Sequence, residues 1–185
     1  MHGDILAFLA VLAYFGPSGL NERMKKEAVG EKVVVLDNIR STFNVGSIFR
    51  TADCLGVSKI YLCGITPAPQ DRFGRARADV AKVSLGAEKT IAWEQFSDTI
   101  TAISKLKNDG YKIISVEQDS RSIDYKKVKI KKGEKVALVM GNEVDGVAPE
   151  VLKLSDVIAE IPLHGKKESL NVLVAFAVAG FGIWE

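Results

Sequence analysis

Cysteine and histidine are scarce in this chain, with two of each in 185 residues. Cys54 and Cys63 stand without a Cys-x-x-Cys spacing or a histidine cluster nearby, which argues against a disulfide scaffold and against a structural zinc site. A reducing cytoplasm fits that usage, and no metal is expected. An excess of one charge is lacking too. Lys plus Arg number 25 against 23 for Asp plus Glu, so any attraction for a polyanion must come from local basic patches. The uncharged apolar run Ile5 to Phe15 is too short to span a bilayer. It also lacks the flanks of a secretory signal, because Asp4 stands where Lys or Arg would precede it and Gly16-Pro17-Ser18-Gly19 follows. That run reads as a helix apolar on all sides, which the core or a partner must cover, with Ser18 or Asn21 capping a short polar helix through Ala28. Neither a Gly-x-Gly-x-x-Gly fingerprint nor a phosphate loop occurs: Gly146 is followed by Val147-Ala148 instead of Lys-Ser or Lys-Thr.

What is present is a regular alternation of elements. With 47% hydrophobic residues the chain is long enough to bury a substantial core and short for two independent domains. Lys32 to Asp37, Lys59 to Cys63, Lys112 to Val116, Lys135 to Met140 and Asp156 to Ile161 are short, rich in Val and Ile, and bounded by Gly, Asp or Ser, as buried strands are. Helical patterns cover Val45 to Leu55, Phe96 to Asn108 and Ser169 to Trp184, with a short turn of helix at Pro149 to Leu154. The expected class is α/β, a mostly parallel sheet with helices on both faces. Residues 1–30 form a helical extension in this reading and residues 31–185 the main domain.

Three segments carry candidate chemistry, each at a strand end, where an open sheet presents its binding crevice. In the first, Asn38 to Arg50, the core stripe Val45, Ile48, Ala52 and Leu55 leaves Arg50 roughly 140° from Val45 at about 100° per residue, facing out. Arg50 is expected to lean back over Gly46 towards the helix amino terminus, where free N–H groups favour an anion. Asn44 is read as the cap of that helix or as a ligand contact. The second segment, Leu138 to Val147, has Gly141 and Gly146 to permit close backbone approach, and Glu143 to hold Arg50 or a hydroxyl group. In the third, Ile161 to Val172, an extended loop enters a nearly all-apolar final helix with Ser169 as its expected N-cap. A helix so apolar must be buried within the fold or between subunits.

Taken together, these segments resemble the signature motifs of the SpoU or TrmH family of RNA ribose 2′-O-methyltransferases, in the knotted SPOUT class. The resemblance runs from about Val33 to Trp184 and identifies residues 31–185 as a catalytic domain. It carries the first motif onto Asn44, Gly46 and Arg50, the second onto Gly141, Glu143 and Gly146, and the third onto Ile161, Pro162, Gly165, Ser169, Leu170, Asn171 and Val172. It implies a carboxyl-terminal trefoil knot and S-adenosylmethionine as methyl donor, with Gly141, Gly146, Ile161, Leu163 and Leu170 at the positions that cradle it. It implies methyl transfer to a ribose 2′-hydroxyl of tRNA or rRNA, with Arg50, Asn44, Glu143, Ser169 and Asn171 as catalytic residues. It also implies a homodimer in which Arg50 of one subunit looks towards the donor of the other. An arginine with a pKa above about 12 is a poor base, so Arg50 is better suited to gripping a phosphate and stabilising an alkoxide. The alternative on the same scaffold is an RNA-binding protein without turnover.

One position departs from the pattern: Leu173 stands where a second serine is common, so the hydrogen bond of that hydroxyl is missing. With the first strand starting near Lys32, selection of a structured RNA is expected to use the catalytic domain's own surface or another protein. Arg50 itself, Arg72, Arg75 and Arg77 beside Phe73, and Lys166 with Lys167 are the expected RNA contacts. Lys126 to Lys135 reads instead as a solvated edge hairpin, where lysines discourage pairing.

Overall fold

The computed structural model describes residues 30–184. The expected helix over Ile5 to Phe15 and the polar helix through Ala28 lie outside the described residues. In chain order the elements are β1 (Lys32–Asp37), α1 (Thr42–Cys54), β2 (Lys59–Cys63), α2 (Ala78–Ser84), α3 (Ala87–Thr90), β3 (Ala92–Phe96), α4 (Thr99–Asn108), β4 (Lys112–Val116), β5 (Ile123–Asp124), β6 (Val136–Met140), α5 (Pro149–Leu154), β7 (Val157–Glu160) and α6 (Val172–Trp184). The strands form a seven-stranded sheet in the order β3-β2-β1-β6-β4-β7-β5, and every pairing is parallel.

Burial on both faces explains the unbroken apolar strands. Side chains alternate across a sheet, so a strand covered on both sides must be apolar at every position. In β1, Val34 and Leu36 pack with Val45, Ile48 and Phe49 of α1 and Phe176 of α6, while Val33 and Val35 pack with Ile103 and Leu106 of α4 and Val151 of α5. β6 divides in the same way, with Leu138 and Met140 on the first face and Ala137 and Val139 on the second.

Several boundaries differ from the sequence reading, each for a visible reason. α4 begins at Thr99 and not at Phe96, because Asp98 caps it by accepting from the Thr101 N–H at 2.8 Å while Phe96 pairs with Cys63 as the last residue of β3. β3 was hidden by its composition: as an edge strand it is only half covered, and Glu94 and Gln95 interrupt the apolar run. Lys126 to Lys135 is not a hairpin. The edge strand is the two-residue β5, parallel to β7, and a single 3-10 turn at Tyr125–Lys127 follows it. Among the described residues no helix is long and apolar enough to cross a membrane.

Candidate active site

Because all strands run one way, the ends of β1, β4, β6 and β7 open on the same edge of the sheet. There a cavity of about 460 Å³ is bounded by Val116 and Glu117 at the end of β4, Gly141 to Gly146 after β6, Ile161 and Leu163 after β7, and Ser169 to Val172 at the start of α6. Gly141, Gly146, Ile161, Leu163, Leu170, Glu143, Ser169 and Asn171 therefore line one space. Asn44 reaches the same place from α1 by side-chain contacts.

The α1 corner is built by Ser41. Its hydroxyl accepts from the Asn44 N–H at 3.3 Å, so Ser41 is the N-cap and Asn44 sits inside the first turn. This corrects the expectation that Asn44 caps the helix, and it frees the Asn44 side chain for other work. Asn44 Nδ2 donates to Glu143 Oε1 at 2.9 Å, and Asn44 Oδ1 accepts from Asn171 Nδ2 at 3.2 Å. One buried amide thus joins all three segments, and its residue is only 5% exposed.

Glu143 has other duties than holding an arginine side chain. Its oxygens accept from the Arg40 N–H at 2.9 Å and the Ser41 N–H at 3.0 Å, the free donors ahead of α1. Burial pushes the Glu143 carboxyl up, but these two N–H groups and the Asn44 amide together hold it below its ordinary range. It is an anion held in place by three donors.

Ser169 does not cap the final helix either. Asn171 does, accepting from the Leu173 N–H at 2.9 Å while its carbonyl accepts from the Ala175 N–H. Ser169 is left exposed on the cavity wall. The glycines of the second segment serve close packing of the chain against itself. A Cβ on Gly141 would meet the carbonyl carbon of Gly146 and the nitrogen of Val147 at 2.2 Å, and Gly146 adopts φ +69°. Asn142 ties the loop shut, exchanging backbone hydrogen bonds with Gly146 and donating from Nδ2 to the Asn38 carbonyl at 2.7 Å.

Two acids that sequence reasoning passed over brace this loop. Glu117 Oε2 accepts from the Val147 N–H at 2.8 Å, in space that a Cβ on Gly146 would fill. Asp37, 2% exposed, accepts from the Ala148 N–H at 3.2 Å and from the Thr99 hydroxyl. Position at a strand end was the signal available for both.

Arg50 lies elsewhere. It is exposed on α1 and opens on a second groove with Phe43, Lys82, Leu85, Leu173 and Phe181. The expected lean over Gly46 is blocked, since a Cβ there would already meet the Val80 carbonyl at 2.8 Å: α2 occupies the space. The first turns of α6 stand between the two hollows, with Val172 and Ala175 on the cavity and Leu173 and Ala177 on the groove. Of the other expected RNA contacts, Lys166 is exposed beside the third segment, whereas Arg75 pairs with Asp71 and Arg77 with Asp79, each at 2.8 Å.

A family model matches residues 31–181, the SpoU rRNA Methylase family. The chain belongs to that family. Among curated SpoU relatives, the tRNA (guanosine(18)-2′-O)-methyltransferase of Aquifex aeolicus is 29% identical over 150 residues, covering 79% of this chain and 65% of the relative. The 23S rRNA (guanosine-2′-O-)-methyltransferase of Neisseria meningitidis is 32% identical over 143 residues, covering 77% of this chain and 54% of the relative. Among solved structures, the AdoMet-bound rRNA methyltransferase from Sinorhizobium meliloti superposes with a TM-score of 0.75 at 29% identity, covering 87% of this chain and 58% of that one. This SpoU-family chain thus spans between about half and two thirds of the length of these three proteins.

Proposed function

We propose that this SpoU-family chain transfers a methyl group from S-adenosylmethionine to a ribose 2′-hydroxyl of tRNA or rRNA. The observation that carries the reading is the side-chain relay Glu143–Asn44–Asn171 at the rim of the cavity, which gathers all three segments at one point.

The cavity suits the donor in size and chemistry. About 460 Å³ lies within the range of nucleotide-sized sites. Ile161, Leu163 and Leu170 offer apolar surface to a nucleoside, and the charged residues of the wall are Glu117, Glu143, Asp145 and Glu168, with no Lys or Arg among them. An acidic wall favours a ligand whose sulfonium and ammonium outweigh its carboxylate. When bound, the donor supplies an electrophilic methyl group; everything else falls to the protein.

Glu143, already accepting from three donors, is a poor proton acceptor. Its role is to fix the start of α1 and the Asn44 amide. Ser169 and Asn171, exposed on the wall, are placed to orient the incoming ribose. Arg50 grips the adjacent phosphate and stabilises the forming alkoxide, and the proton leaves through phosphate or water. Within one chain Arg50 does not line the cavity, so this role calls for a homodimer, with Arg50 of one subunit facing the cavity of the other. The exposed Phe43, Leu85 and Phe181 of its groove supply the apolar surface such an interface needs.

The test is transfer of labelled methyl groups onto total RNA lacking the modification, followed by nucleoside digestion. Label is expected on a ribose, and label on a base overturns the assignment. Arg50→Ala is expected to lower turnover at saturating RNA by about 100-fold or more, the effect of removing one transition-state charge partner, and full turnover would remove Arg50 from the mechanism.

A further inference from the structure

The loop between β2 and α2 carries a small antiparallel hairpin whose construction is out of proportion to its place in the fold. Gln70 bridges to Ala76 across it. Asp71 organises the turn: its Oδ1 accepts from the Phe73 N–H at 2.8 Å and the Arg75 N–H at 3.0 Å, its own N–H donates to the Arg75 carbonyl, and its carbonyl accepts from the Gly74 N–H. Gly74 supplies the left-handed residue the turn needs, at φ +77°. Arg77 N–H, donating to the Pro69 carbonyl at 2.8 Å, closes the base.

What the hairpin displays is a ring and two cations. Phe73 is 66% exposed and belongs to neither core cluster. The guanidinium carbons of Arg72 and Arg75 lie 4.8 and 5.0 Å from its ring centre. Arg75 is held there by Asp71 through Nε at 2.8 Å, whereas Arg72 has no ion pair among the described residues. An exposed aromatic on a tight turn, with residues 72–76 all exposed, has two arginines, a glycine and an alanine as its neighbours in that turn, a composition more polar than the core of a protein interface. It does match a nucleotide, whose base has a face to stack and whose phosphate has a charge to pair.

We propose that the hairpin is a clamp for an unpaired nucleotide of the RNA, with Phe73 stacking on the base and Arg72 pairing with the phosphate. The proposal rests on the reading that the chain acts on RNA, and it narrows the substrate to RNA with a single-stranded loop or bulge at the contact. A continuous duplex offers no free base face. The place is apt. β2 ends on the same sheet edge as the cavity, and α2, which the hairpin leads into, contributes Lys82 and Val83 to the groove of Arg50. Since the turn is already ordered by Asp71, little ordering remains to oppose binding.

The test measures binding of the whole chain to a 2-aminopurine-labelled single-stranded oligoribonucleotide and to the duplex of the same sequence, with donor binding by calorimetry alongside. Phe73→Ala is expected to weaken single-strand binding about ten-fold, the loss of one base–aromatic stack. Duplex binding should change by less than about two-fold in the same variant, donor affinity should not change, and Phe73→Trp should restore the single-strand contact. Arg72→Ala is expected to shrink the slope of log K against log salt by about 0.7, one single-strand phosphate. Single-strand binding unchanged in Phe73→Ala, or weakened equally for the duplex, overturns the clamp. Loss of donor binding and of methyl transfer in the wild type would instead overturn the parent reading, so the two failures are separable.

Discussion

At the scale of single residues, the site depends on acids and amides that fasten one segment to another. Glu143 is the clearest case. Its carboxyl is held below the ordinary range, so the stabilisation it gives is complete above the unfolded carboxylate range and is lost as pH falls through the lower folded value. Between about pH 5 and 8 it is therefore a constant anion. Donor affinity measured across that window should show no inflection from Glu143, and Glu143→Gln should lower it by the same factor at every pH. Asn44→Ala breaks the relay at its middle and leaves Glu143 and Asn171 each one partner short. A hydrogen bond to a charged group contributes about 1.5–3 kcal/mol, so a fall in kcat/KM of about 10- to 100-fold is expected in steady-state methylation assays.

At the scale of elements, the strand pattern was legible because both faces of the sheet are buried, and the central strands announce themselves as apolar runs. β3 and β5 were not, being edges with one side open to water. α2 and α3 escaped for a different reason: with seven and four residues they are too short for a periodicity to register, and unlike the six-residue α5 they have no proline in the first turn to announce them. The site was legible in its residues and less so in its caps. Asn, Ser and Thr all serve as caps, and only the folded structure tells that Ser41 and Asn171 take those places, which frees Asn44 to bond Glu143 and Asn171 and leaves Ser169 on the cavity wall. Nor did the pattern tell Gly46 as room for an arginine from Gly46 as room for a helix. Gly46→Ala puts a methyl 2.8 Å from the Val80 carbonyl and 3.0 Å from the Val83 Cβ. Overpacking of about 1–3 kcal/mol outweighs the gain of about 1 kcal/mol from alanine in a helix. A drop in Tm of about 2–4 °C is expected by calorimetry.

At the scale of the whole molecule, two hollows share one helix as a wall, and the proposed chemistry draws on groups from both. The cysteines report on how they come together. Cys63 is buried, and burial pushes its thiol up to about 12, so it should resist alkylation in the folded protein. Cys54 is exposed and lies in the Arg50 groove. If that groove is the subunit interface, iodoacetamide should modify Cys54 quickly in dilute protein and slowly in concentrated protein, read by mass spectrometry. A rate independent of concentration would place the interface elsewhere. The knot expected from the motifs would have no counterpart in composition or spacing, since threading is a property of the path and not of any segment.

In the growing chain, β1 and β4 are made before the strand that sits between them. Val136–Met140 completes the middle of the sheet about a hundred residues after its neighbour β1 has left the ribosome. Until then the edge of β1 away from β2 has no strand beside it, and the edge of β4 facing it is equally bare. The loop Gly141 to Gly146 hangs from the end of that late strand, and Glu143 within it is one end of the relay. A nascent chain that stops short of Met140 therefore lacks the strand that joins β1 to β4, and the site closes later still, when β7 and the segment Ser169 to Val172 have been made.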